Sequence, residues 1–165
     1  MHFKNKTRKY ILLGIIAFIF VGIIAANILA NKQDATFETE EFIYQQAVQQ
    51  YQSGNYAEAQ KLIADLVVEK ADSEQVNYLA GLIAASVGEY PSAAVYMQKA
   101  LDINPHNVEA PMFMLQFGEV LFSAKRFDDA KIVLERCKEW NWMPEDYPQY
   151  QEQVQEMLTE IENMK

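Results

Sequence analysis

The sequence has little of the material from which catalytic and metal centres are built. Among 165 residues there are one cysteine, Cys137, and two histidines, His2 and His106. A single cysteine excludes an internal disulfide, and two histidines so far apart supply neither a paired metal site nor a Ser-His relay. Cys137 lies on the packed side of a helical pattern with no basic residue at helical spacing, which predicts an inert, buried thiol. The six glycines and five prolines form no glycine-rich phosphate loop, and no nucleophile elbow occurs. No cofactor or metal is expected, and the usual set of nucleophile, base and oxyanion donors is missing, so the chain is not expected to be an enzyme.

Positive charge is scarce as well, and it is concentrated. Residues 1–34 hold Lys4, Lys6, Arg8, Lys9 and Lys32 against Asp34, a net of +4; the whole chain is −9, which leaves −13 on the other 131 residues. An acidic body lacks the basic footprint that nucleic acid requires, so no nucleic acid is expected as a partner. The carboxylates themselves form a solvated coat. Glu38, Glu40, Glu41, Asp128 and Asp129 stand where helices begin, which suits the helix dipole, and Glu152, Glu156, Glu160 and Glu162 fall on the outer side of the last helix.

No charged residue occurs from Tyr10 to Asn31. As a helix these 22 residues would be about 33 Å long, against roughly 30 Å of bilayer hydrocarbon. The pattern predicts a basic N-terminus over 1–9, a transmembrane helix over 10–31 and a linker over 32–39. The apolar run exceeds the roughly 7 to 15 residues of a cleaved signal core, and no cysteine follows it to accept lipid, so a retained anchor is expected. The positive flank then puts the N-terminus in the cytoplasm and the remainder on the extracytoplasmic side, periplasmic in a Gram-negative bacterium. Gly14, Gly22, Ala26 and Ala30 share one stripe of this helix, where small residues permit close packing in lipid.

The body is repetitive. Gly54-Asn55-Tyr56-Ala57-Glu58-Ala59, Gly88-Glu89-Tyr90-Pro91-Ser92-Ala93 and Lys125-Arg126-Phe127-Asp128-Asp129-Ala130 align on a turn residue, an aromatic two positions later and an alanine three after that. Gly81 and Gly118 stand seven residues before the turn in the last two units, and Ala47 takes that place in the first. Asp102-Ile103-Asn104-Pro105 closes the middle unit, whereas the first has Ala71 in place of a closing proline. This pattern resembles the tetratricopeptide repeat, a helix-turn-helix unit of 34 residues. The resemblance implies an all-α helical repeat, an α-solenoid of three units over about 40–73, 74–107 and 108–144. Three extra residues precede the third unit. With Asn107 as a cap and Pro111 in the first turn, they are expected to lengthen its first helix by about one turn. A final amphipathic helix over 145–165, with Pro148 in its first turn and Tyr150, Val154, Met157, Leu158 and Ile161 on one stripe, is expected to cap the stack. Trp140 and Trp142 are expected to point apart, one of them closing the core beneath that cap.

In the repeat family the first helix of each unit lines an inner groove that binds extended peptides or helices. By register the resemblance implies a groove of Tyr44, Val48 and Tyr51, then Tyr78 and Leu82, then Leu115, Glu119 and Phe122. This set lacks the Lys, Arg and Asn residues with which chaperone-binding members hold an acidic C-terminus. An aromatic and aliphatic groove suits apolar segments, with tyrosines as amphipathic anchors. The expected function is that of an anchored adaptor for protein or peptide partners, membrane-bound or secreted, in the assembly, secretion or quality control of envelope proteins. A self-associating, homo-oligomeric scaffold and a regulatory subunit of a membrane enzyme complex are the alternatives.

Overall fold

The structure, a computed structural model, describes residues 38–164. The chain divides into two units, residues 1–42 and 43–165, and apart from the first turn of α1 the helices below lie in the second. They are α1 (38–52), α2 (Tyr56–Glu69), α3 (Glu74–Ser86), α4 (Tyr90–Ile103), α5 (Pro111–Ser123), α6 (Phe127–Glu139) and α7 (Tyr150–Asn163), with a 3-10 turn over Pro105–Glu109. The described residues contain no strand, and the three helix pairs followed by a single helix form the repeat stack that the sequence implies.

Periodicity explains which faces are buried. The second helices bury the same register three times: Ala59, Ile63 and Leu66 in α2, Ala93, Met97 and Ala100 in α4, and Ala130, Leu134 and Cys137 in α6. Spacings of four and then three residues keep these side chains on one stripe. The first helices α3 and α5 are apolar over a wider arc because each packs on its own partner and on the neighbouring pair. Gly81 and Gly118 set the closeness of those pairs. A Cβ on Gly81 would stand 2.7 Å from Cγ of Met97, and one on Gly118 would stand 2.7 Å from Cδ2 of Leu134.

The turns follow the expected chemistry. Gly54 and Gly88 have φ of +77° and +83°, and Lys125, in the equivalent place, has +60°. Where the first unit lacks a closing proline, Asn77 ties the connection instead. It is wholly buried, and its Nδ2 donates to the carbonyls of Ala71 (3.1 Å) and Ser73 (2.7 Å).

Several expectations are corrected. The three extra residues do not extend α5. They form the separate 3-10 turn, which Asn104 caps by accepting from the His106 amide, and Pro111 opens α5 because a residue before proline is driven out of the helical region; Ala110 has φ −93° and ψ 106°. Pro148 lies before α7, in a turn over 148–149. Trp140 and Trp142 do not diverge: their rings meet edge-on with centroids 4.8 Å apart. Asn141 between them takes φ +50°, which departs from the extended alternation that would separate them. Trp142 does pack on the core beneath α7.

The localisation is also corrected. No helix among the described residues is long and apolar enough to cross a membrane, and the single-pass, extracytoplasmic placement, with membrane attachment through the N-terminus, is withdrawn. The run 10–31, with Gly14, Gly22, Ala26 and Ala30, lies outside the described residues, as do 1–9 and most of the linker.

Candidate functional site

The predicted groove residues come from the first helices of the three pairs, α1, α3 and α5. Tyr44, Val48 and Tyr51 of α1 are half-buried against a core of Ala47, Ala59, Ile63, Leu66 and the inner side of α3. Tyr78 and Leu82 of α3 and Phe122 of α5 are half-buried against the larger core that runs to α7. Leu115 is different. It is 2% exposed and belongs to that core, because α5 is packed by α4, α6 and α7 together and has fewer open positions than α3. It is removed from the groove.

Tyr78 is held rather than free. Its ring lies 5.1 Å from that of Phe113, and its hydroxyl donates to Oε1 of Gln116 at 2.5 Å. Burial, with smaller contributions from Tyr51 and Glu74, pushes its phenol up to about 12, so it is a neutral donor at any physiological pH. Tyr51 and Tyr56 pair with centroids 5.7 Å apart.

A cleft of about 310 Å³ is lined by Ala85, Tyr90, Glu119, Phe122, Ser123 and Met157, together with Val120. Two of the groove residues implied by register, Glu119 and Phe122, are in it. Glu119 is half-buried, and its Oε1 accepts from Nε2 of Gln153 on α7, whose own Oε1 accepts from the Tyr147 hydroxyl. Burial raises the Glu119 carboxyl above its ordinary range, and the Gln153 hydrogen bond opposes part of that shift. No ion pair to Glu119 occurs among the described residues.

Reading the sequence alone missed Gln153, Tyr147 and the place of Met157 in the cleft. The signal was present: treating α7 as the first helix of an incomplete fourth unit puts its polar edge beside α5, whereas treating it only as a lid leaves that edge in solvent. Tyr150 fixes this placement. It is fully buried, and its hydroxyl donates to the Pro111 carbonyl at 3.0 Å. Cys137 is buried as expected, and burial raises its thiol pKa against a smaller lowering by Tyr150. Among the described residues no three His, Cys, Asp or Glu side chains are placed to hold a metal ion.

Comparisons with known proteins agree with this fold. A family model, the tetratricopeptide repeat-like domain, matches residues 2–154 and so takes in both the apolar run and the repeats. The type III secretion translocator chaperone SycD of Yersinia enterocolitica superposes with a TM-score of 0.63 at 23% identity, over 77% of this chain and 86% of that one. The chaperone PcrH, in complex with the chaperone binding region of PopD, gives 0.61 at 18% identity, over 77% and 93%. The TPR2B domain of yeast Sti1, in its pHsp70 complex, gives 0.59 at 11% identity, over 76% and 98%. Identities this low speak to the fold. No curated protein matches the chain in sequence at a significant level.

Proposed function

The chain belongs to the tetratricopeptide repeat-like domain family, and from that premise we propose that it is a non-enzymatic adaptor that holds a polypeptide segment of a partner protein on the inner side of its repeats. The observation that carries this reading is the cleft between the second and third units, where Glu119 and Phe122 from the inner register meet Met157 of α7. Its lining is mostly apolar with a few fixed polar groups, the usual composition of a recognition site. Tyr51, Tyr78 and Leu82 continue the half-buried inner surface toward α1. The structural neighbours that hold a peptide of the translocator YopD and the chaperone binding region of PopD are consistent with such a role in the assembly or secretion of other proteins.

A panel of fluorescent 15-residue peptides of varied composition, titrated against the full chain, tests the proposal. Binding that is lost in Phe122→Asp and Leu82→Asp, but kept in a variant of the exposed Glu156, Glu156→Gln, is the expected result. Binding that is equal in all three variants would remove the inner surface from the function.

A further inference from the structure

Glu119 is an unusual member of an apolar groove. Its register equivalent in the second unit, 37 residues earlier, is Leu82, just as Gly118 answers to Gly81 and Ala130 to Ala93. The repeat therefore accepts an aliphatic side chain at this position, and a carboxylate is not required by the fold. Nor does Gln153 require one, because its amide could donate equally to a neutral carbonyl. Half-burial costs a carboxylate hydration, and an opposite charge is the usual compensation. Within the described residues that compensation is missing, since the one hydrogen-bond donor to Glu119 is a neutral amide and no cation pairs with it.

We infer that Glu119 receives a lysine or arginine side chain of the partner segment, whose aliphatic stem lies between Phe122 and Met157 and whose neighbouring residues are apolar. Three features argue for this occupant. The cleft, at about 310 Å³, has room for one long side chain and part of the next, and not for a folded element. Phe122, Met157 and Ala85 offer apolar walls that suit the methylene stem of a basic residue, and Glu119 lines the same cleft. The body of the chain, at −13, favours approach of a basic segment over an acidic one. The assignment rests on the groove reading and deepens it by naming the chemistry of the partner.

A random 12-residue peptide library displayed on phage and panned on the full chain is the probe. The expected outcome is enrichment of one Lys or Arg flanked by aliphatic residues. A synthetic peptide of the enriched sequence should lose about tenfold or more in affinity when its basic residue is changed to Gln, in keeping with hydrogen bonds to charged groups. Glu119→Gln should remove that preference while leaving the Gln-containing peptide bound as before, and Phe122→Ala should weaken both peptides. Binders enriched without a basic residue, still sensitive to Phe122→Ala, would overturn the Glu119 assignment and leave the groove standing. A library that yields no binder would overturn both. A photoreactive residue at Met157 in the full chain should crosslink to the selected peptide; crosslinking instead to the chain's own residues 4–9, or to a second copy, would overturn the assignment to a separate partner.

Discussion

The second and third units are built on one plan although most of their residues differ. Gly81 and Gly118 make the same close approach, and Ala93-Met97-Ala100 answers to Ala130-Leu134-Cys137. Three of the differences bear on the cleft and its surroundings: Gly88 against Lys125 at the turn, Tyr78 against Leu115, and Leu82 against Glu119. The glycines of closest approach and the alanines Ala93 and Ala130 are kept, while other packed positions vary in size and type. The third unit also has α7 beside it, which supplies Gln153 to Glu119. Being next to the end of the stack, more than any change in the repeat itself, distinguishes the third unit.

The largest expected effect severs that end. Tyr150→Ala should lower stability by about 3–5 kcal/mol, measured by urea unfolding, whereas Tyr150→Phe keeps the ring, loses the hydroxyl's interactions with Pro111 and Cys137, and should cost about 1 kcal/mol. If the two variants were equally destabilised, the hydroxyl and not the packing would hold α7. The next tests whether the pairs are equivalent. Gly81→Ala and Gly118→Ala should each overpack an interface at a cost of about 1–3 kcal/mol, offset by roughly 1 kcal/mol of helix propensity. Thermal unfolding that spared one and not the other would show that the two interfaces are not interchangeable.

A smaller effect concerns the turns. Lys125→Gly should stabilise by about 0.5–1 kcal/mol by relieving a left-handed side chain, and Gly88→Ala, which meets no atom within 4 Å, should destabilise by about 1 kcal/mol from backbone strain alone. The smallest is electrostatic. Because the folded state raises the Glu119 carboxyl pKa, its protonated form is favoured on folding. That contribution is complete below the ordinary glutamate pKa and is lost as pH rises from there through the folded value. Glu119→Gln should therefore gain stability relative to the parent as pH increases across that window, and no further above it. A pH series of urea midpoints in which the two proteins stay parallel would deny that the site is desolvated.

Most of the fold was legible because repetition multiplies weak signals. One Gly-x-aromatic turn says little, but Tyr56, Tyr90 and Phe127 in register, each followed by a buried alanine, fix three helix pairs. What was not legible depended on single residues overruling the pattern. Pro111 broke a helix that periodicity would have lengthened, and Asn141 brought together two tryptophans that alternation would have parted. Of the eight positions expected to line a groove, Leu115 is closed, because its burial depends on helices α4, α6 and α7 packing together around α5, which its own sequence neighbourhood does not announce. The leader offered the strongest single pattern in the sequence, yet it lies outside the described residues and the localisation drawn from it does not stand.

Cys137 sits at the seam where α6 meets α7, sealed by Tyr150, and it is the one thiol of the chain. The protein thus carries its own clock for the detachment of that helix. A thiol reagent can reach Cys137 only during an opening, so the labelling rate under native conditions counts such events. Its dependence on low urea separates a local peeling of α7, with little new surface, from collapse of the entire stack. A bound segment touching Met157 would slow that clock, so occupancy of the cleft becomes readable as chemical protection of a residue the segment never touches.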